Sequence, residues 1–161
     1  MKRTHHCNEL RLEHAGQEVT ISGWVHSRRD LGGVIFIDVR DREGRTQLVF
    51  DPQETEVALV EAAGKLHSES VITVSGKVRQ RPDETENSKI HTGQVEIVAM
   101  GMDVNNHAEV LPFQIDDPTT AAKVNEELRL QYRYLDLRRP EIMHNMQLRS
   151  RVATATRVFM E

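Results

Sequence analysis

The chain has 161 residues, 38% hydrophobic and 29% charged, so a single domain with a modest core is expected and wholesale disorder is excluded. Its formal net charge of -4 excludes a globally basic nucleic-acid binder but not a local basic patch. Cys7 is the only cysteine and no apolar run has membrane-spanning length, which predicts a cytoplasmic protein without a disulfide or a membrane segment.

The first third of the chain alternates apolar and polar residues, as half-buried strands do. We expect strands over residues 18–27, 34–41 and 46–50, and a charged turn at 28–33. Gly23 lies in the middle of the first segment and predicts a bulge or a sharp bend there, because closing a small barrel requires one.

The middle of the chain predicts one helix and two further strands. Residues 52–67 are acidic and rich in alanine, typical of a helix, and strands are expected at 71–79 and 94–102 with a polar loop at 82–93. Three strands, a helix and two strands are the order of the OB-fold. The sequence therefore predicts a mainly β protein, a five-stranded OB-fold Greek-key barrel with a helix between strands 3 and 4.

The last third changes in composition. Residues 104–125 are rich in Pro, Asp, Asn and Thr and predict a linker. One helix is expected over 126–137 and another from about residue 141. The second carries an apolar stripe that needs a partner surface, formed by Leu148, Val152, Ala155 and Phe159. This helix reaches Glu161 without a cap, which suggests a piece of a longer polypeptide.

Phe36 is the most informative residue for function. It shares a strand face with Asp38 and Arg40, and an aromatic among charged residues on an OB strand is typical of a platform for an unstacked base. The alternative is that loops cover this face and Phe36 belongs to a minor core. Gln47 is expected on the same face, where its amide could contact a base edge, although a solvated glutamine would fit the same pattern.

Arginines surround the same strands and are candidate phosphate ligands. They are Arg28, Arg29, Arg40, Arg42 and Arg45, with Lys77, Arg79 and Arg81 on the fourth strand, and the candidates for contact with nucleic acid are Arg28, Arg29, Arg79 and Arg81. Interleaved acidic residues could instead neutralise them in surface pairs. Glu96, on the polar face of the fifth strand, could accept from a base amino group or simply be solvated.

No motif for catalysis or metal binding is present. His5, His6 and Cys7 are adjacent, so they cannot easily converge on one ion, and no further spaced ligands complete a set. P-loop, GxGxxG and GxSxG motifs are missing. We therefore expect neither a metal site nor an active site in this chain.

Three stretches carry a family resemblance: GWVHSRRDLGGVIFIDVRDREG (residues 23–44), TQLVFDP (46–52) and RLQYRYLDLRRP (129–140). Together they resemble bacterial-type aspartyl-tRNA synthetases, and in looser form the asparaginyl and lysyl enzymes of the same class II subgroup. The resemblance implies an anticodon-binding OB domain over residues 1–103, a hinge at 104–125, and the start of a class II catalytic domain at 126–161 that ends within its motif 1 helix.

The resemblance also implies roles for single residues. Phe36 would stack on the middle uridine of the anticodon and Gln47 would read it. Arg29 and Glu96 would contact the anticodon backbone and flanking bases. The apolar stripe would lie at the dimer interface of a full-length homodimer that uses ATP and Mg²⁺ to attach aspartate to tRNA, whereas this fragment alone would be inactive.

Two readings from other classes stay open at this point. The chain could be a free-standing OB module for single-stranded nucleic acid, or an interaction module that docks a partner through the apolar stripe. The sequence leaves open whether a parent ligase charges only the aspartate tRNA or also the asparagine tRNA.

Overall fold

The computed structural model describes residues 2–115 and 123–161. These residues form two compact units, Met1–Val110 and Leu111–Glu161. Residues 116–122, part of the expected linker, lie outside the described residues.

The first unit is built on five strands that close into an irregular ring. They are β1 (Glu18–Leu31), β2 (Val34–Arg40), β3 (Arg45–Phe50), β4 (Val71–Gln80) and β5 (Val95–Asn106). Around the ring the order is β1-β2-β3-β5-β4, and β4 returns to β1. All pairings are antiparallel except the short parallel contact of β3 with β5. A helix, α1 (Val57–Gly64), lies between β3 and β4, so the predicted OB-fold order is confirmed.

The core fills the inside of this ring because every second residue of each strand points inward. Ile21, Ile37 and Leu48 are at most 1% exposed, and each lies one residue away from a polar or half-buried neighbour. Cys7 and Leu10, from the segment before β1, belong to the same buried cluster. The outer faces of β2 and β3 are thereby left to carry other side chains.

The expected turn at residues 28–33 is wrong. β1 continues to Leu31, and only Gly32 and Gly33 form the turn, with φ of +65° and +91°. Two central residues with positive φ are the geometry of a type I′ hairpin, whose twist matches that of the strands. The charged residues 28–30 therefore lie on a strand, where alternate side chains point to opposite faces.

The bulge predicted at Gly23 is also wrong in position. The register between β1 and β2 shifts between Val25 and Ser27. Gly23 instead marks a close approach of two backbones, since a Cβ built there would lie 2.3 Å from the carbonyl oxygen of Arg40.

The predicted helix over residues 52–67 is shorter in the structure. Thr55 N donates to Asp51 O at 2.7 Å and Gln53 N donates to the Asp51 carboxylate at 2.9 Å, so a turn occupies the first residues. Conversely, β5 is longer than expected and ends at Asn106.

The second unit contains three helices, α2 (Glu126–Gln131), α3 (Arg133–Asp136) and α4 (Pro140–Met160). The single helix expected over 126–137 is interrupted at Tyr132, whose φ of -107° and ψ of 46° are not helical. Leu135 packs with Phe113 and Ile115 in a small cluster, and the fully buried Asp136 beside it is paired with arginines. Within the described residues α4 buries none of its own, and Phe159 is 88% exposed.

Asp41 fastens the N-terminal segment to the turn after β2. Its carboxylate accepts from the backbone N–H of Cys7 at 3.1 Å and of Glu43 at 2.8 Å, and from His6 Nδ1 at 3.0 Å. Burial works to raise the pKa of Asp41, but these hydrogen bonds outweigh it and hold the pKa below its usual range. The ionised form is therefore the one that the fold stabilises.

We expect Asp41→Asn to lower the free energy of unfolding at pH 7 by about 1–2 kcal/mol, because hydrogen bonds to a charged acceptor are lost. A lowered folded-state pKa gives stability that is present above the unfolded value of about 4 and is lost as the pH falls through the folded value. Urea denaturation from pH 7 to pH 3 should therefore show the two proteins converging at low pH. A difference in unfolding free energy that stays constant over this range would contradict the role of the charge; Glu84→Gln, at an exposed residue of the short 3₁₀ helix Asp83–Thr85, is the control.

Candidate nucleic-acid interface

Phe36 lies on the outer face of β2, between Arg29 of β1 and Val49 of β3. It is half-buried and is not part of the core cluster inside the ring. Its ring lines an open cleft of about 420 Å³ together with Val34, Gln47 and Glu96. Phe36 thus lies beside a space outside the core, as a platform for a base requires.

Gln47 lies on the same outer face, opposite Asp38 in the β2–β3 ladder. Only 6% of it is exposed. Arg29 Nη2 donates to Gln47 Oε1 at 2.9 Å, and Gln47 Nε2 donates to Glu96 Oε2 at 3.0 Å. The strand pairing thus brings the predicted ring and the predicted amide together, and it also brings two charged side chains to the amide.

Glu96 and Arg79 are direct cross-strand partners in the β4–β5 ladder. Arg79 Nη2 and Nε donate to Glu96 Oε1 at 2.7 and 3.1 Å, and Arg79 Nη1 also contacts both carboxylate oxygens of Glu54 at 3.1 Å. Burial works to lower the pKa of Arg79, but the bonds and charge of Glu96, helped by Glu54, raise it. Arg79 therefore remains a cation at the edge of the cleft.

Arg81 lies directly after β4 and is only 4% exposed. Its Nε donates to Val95 O at 3.0 Å, and its buried Nη2 has no hydrogen-bond partner in the described part of the chain. Burial lowers the pKa of Arg81, against the opposing charge of Glu96. This buried arginine does not line the cleft, so the structure does not bring it to the predicted interface.

Arg28 does not join this group. It pairs with Ile37 and so lies on the other face of β1, where its Nη1 is 4.0 Å from the place a Cβ on Gly64 would occupy. Arg40 of β2 is paired with an acid, since its Nη2 lies 2.6 Å from Glu69 Oε1. Alternation along the extended β1 explains why Arg29 reaches Gln47 and Phe36 and Arg28 does not.

The cleft has contributors that the sequence analysis missed. Pro82 and Thr85, from the loop after β4, form part of its lining, as does Asp51 at the end of β3. Glu54, the second partner of Arg79, precedes α1. No local pattern marks these residues, because only closure of the ring brings the segments after β3 and β4 to one place.

The remaining expectations concern sites elsewhere. Among residues 2–115 and 123–161 no group of three or more His, Cys, Asp and Glu side chains is arranged to hold a metal ion. Burial raises the pKa of Cys7, aided by the nearby Asp41, so its thiol is unreactive. In the same residues no helix combines the length and apolar character needed to cross a membrane.

Comparison with protein families agrees with this architecture. Residues 19–105 match the profile of the OB-fold nucleic acid binding domain. This range includes the five strands, apart from one residue at either end, and the residues that line the cleft. Residues 125–161 match the profile of class II tRNA synthetases of the D, K and N type.

Matches to individual relatives cover nearly the whole of this chain. An aspartate–tRNA(Asp/Asn) ligase of Endomicrobium trichonymphae is 49% identical over 160 residues, covering 99% of this chain and 26% of the relative. The ligase of the same name from Opitutus terrae is 47% identical over 161 residues, covering 100% of this chain and 27% of the relative. The solved asparaginyl-tRNA synthetase of Pyrococcus horikoshii, complexed with asparaginyl-adenylate, has a TM-score of 0.82 at 26% identity, covering 99% of this chain and 34% of that one. The chain thus spans about a quarter of the length of its sequence relatives.

Proposed function

The chain belongs to the OB-fold nucleic-acid-binding family, and from this premise we propose that its first unit binds the anticodon loop of a tRNA. The base-binding cleft would be the one that Phe36, Gln47 and Glu96 line. Phe36 would stack on the middle base, a uridine, and Gln47 would read its edge. An anticodon loop suits such a cleft because its single-stranded bases can leave the stack at small cost.

One observation carries this proposal: a half-buried aromatic ring and an amide lie side by side in an open cleft on the outer strand face. A ring supplies stacking energy that is independent of sequence, and an amide supplies donors and acceptors that depend on it. Arg29 and Arg79 lie at the two sides of the amide network; each pairs with an acid, and the exposed part of each side chain would contact the RNA backbone. Arg28, on the other strand face, would contact the RNA outside the cleft.

The larger context follows from the relatives' names. We propose that the chain is part of an aspartate–tRNA ligase, in which residues 107–125, the part of the expected linker that follows β5, act as a hinge and 126–161 begin the catalytic domain. ATP and Mg²⁺ would serve aspartate activation in the full-length enzyme. The fragment alone would be inactive in aminoacylation. The enzyme would work in the cytoplasm, where tRNA is charged.

The exposed apolar stripe of α4 supports a further part of this proposal. Leu148, Val152 and Phe159 are 52%, 57% and 88% exposed, and Ala155 is exposed beside them. Burying such a surface against a second copy would stabilise an assembly. In the full-length protein the stripe would therefore lie at a homodimer interface.

We expect the protein to bind a 17-nucleotide anticodon stem-loop with a middle uridine more tightly than the three stem-loops that differ only at this base. Each replacement should cost about 1–3 kcal/mol, since a mismatched base loses its paired contacts to the amide. Affinity should also fall with added salt, because phosphate contacts release counterions. Isothermal titration calorimetry at two salt concentrations would measure both effects. Equal affinity for all four loops would contradict anticodon reading and favour a general single-strand binder.

A further inference from the structure

The Gln47 amide is held at both ends by groups of opposite hydrogen-bonding character. Arg29 donates to Oε1 at 2.9 Å, and Nε2 donates to Glu96 Oε2 at 3.0 Å. A guanidinium offers only donors and a carboxylate only acceptors. Exchanging the amide oxygen and nitrogen would set donor against donor at one end and acceptor against acceptor at the other. The orientation of the amide therefore follows from the chemistry of its partners.

Glu96 is itself fixed. It is only 4% exposed, and Arg79 donates twice to Oε1, at 2.7 and 3.1 Å. The carboxylate thus turns its other oxygen, Oε2, toward Gln47. We name the set formed by Arg29, Gln47, Glu96 and Arg79 the amide clamp.

The clamp leaves part of the amide for a ligand. A primary amide has two N–H groups and two acceptor lone pairs, and the two bonds described above use one of each. One donor and one acceptor, in fixed order, remain for a base that enters the cleft, which Gln47 lines beside Phe36.

A fixed order matters because the two pyrimidines differ in this respect. When stacked in the same position on an aromatic ring, uracil offers an acceptor at O4 and a donor at N3, whereas cytosine offers a donor at N4 and an acceptor at N3. The two bases need opposite orientations of the amide. A glutamine free to turn over would bind both, whereas a clamped glutamine binds one and opposes the other.

We propose that Glu96 is a positioning residue that, through the amide clamp, makes the interface distinguish uracil from cytosine at the middle anticodon position. This rests on the anticodon-binding function proposed above and adds to it the source of the discrimination. Glu96 then acts through Gln47 rather than by contacting the middle base itself.

The test is Glu96→Gln with two stem-loops that carry uridine or cytidine at the middle position. Arg79 still donates to the oxygen at residue 96, so the new amide turns its NH₂ toward Gln47, which must turn over to accept from it. The wild type should prefer the uridine loop by on the order of tenfold or more. In the variant the ratio of the affinity for the uridine loop to that for the cytidine loop should fall to near one or invert, because binding of the cytidine loop becomes tighter.

Glu54→Gln is the matched control. It removes the same charge from the same guanidinium, since Glu54 pairs with Arg79, but it does not touch Gln47 in the structure. It should change both affinities together and leave their ratio as in the wild type. If the role of Glu96 were purely structural, Glu96→Gln would weaken the binding of both stem-loops equally. An unchanged ratio of the two affinities in this variant would therefore overturn the proposal.

Two further outcomes separate this inference from the proposed function. If Glu96→Gln does not fold, Glu96→Asp keeps the negative charge beside Arg79 but withdraws the carboxylate from Gln47, so it should also narrow the ratio of the two affinities; no narrowing would overturn the clamp. A wild-type preference for cytidine that either variant relaxes would support the clamp but overturn the uridine assignment. Absence of binding to any loop would overturn both.

Discussion

Phe36→Ala should weaken binding of the uridine stem-loop by about 1–3 kcal/mol, or roughly 5- to 150-fold in Kd, because this is the usual contribution of one base stacked on an aromatic side chain. The ring lies outside the core cluster, so its removal should leave the fold intact. Calorimetric titration measures the loss, and the thermal unfolding midpoint verifies that the variant is folded.

Phe36→Tyr is the matched control for Phe36→Ala. It retains the ring and adds only a hydroxyl, so affinity should stay within a few-fold of the wild type. Arg29, whose guanidinium carbon lies 6.0 Å from the ring centroid, would still be able to approach either aromatic. Wild-type affinity in Phe36→Ala would show that the ring is not the platform.

The expected positions of Phe36 and Gln47 agree with the structure because they depend only on alternation. In a two-residue period, Phe36 must face away from Ile35 and Ile37, and pairing of β2 with β3 then places Gln47 on its side. The hydrophobic pattern shows which side chains of a strand point outward. This is sufficient to predict that the Phe36 ring and the Gln47 amide lie on the same face.

Contacts between distant segments could not be predicted in this way. Glu96 reaches Gln47 only because β5 lies beside β3 in the closed ring, and Glu54 reaches Arg79 across 25 residues of sequence. Glu96 had a solvated alternative in the sequence, and no local pattern distinguishes a solvated carboxylate from one that contacts Gln47. The amide clamp is therefore visible only in three dimensions.

The errors in the elements have local causes. Residues 28–30 are charged and precede two glycines, so they favour a turn, but pairing with β2 extends the strand through them. Glycine in a strand fits either a bulge or a close approach of backbones, and sequence does not separate the two. At Gly23 the structure shows the second.

The close approach at Gly76 has a larger consequence than that at Gly23 because it joins the strands that carry Arg79 and Glu96. A Cβ on Gly76 would lie 2.2 Å from the carbonyl oxygen of Val98 and 2.7 Å from the side chain of Ile97. Neither atom can move freely, since one is backbone in a strand and the other is buried. Any side chain at this position must therefore push β4 and β5 apart.

We expect Gly76→Ala to lower the free energy of unfolding by about 3 kcal/mol, at the upper end of the usual cost of overpacking, because the clashing atom is backbone. For a unit of this size that corresponds to a fall of roughly 12 °C or more in Tm. Differential scanning calorimetry measures it. Gly64→Ala is the matched control: it lies at the end of α1 with only an arginine tip at 4.0 Å, so the added methyl should be neutral or slightly stabilising. If the two variants melted at the same temperature, the close β4–β5 approach would be refuted, and with it the geometry that holds Arg79 against Glu96.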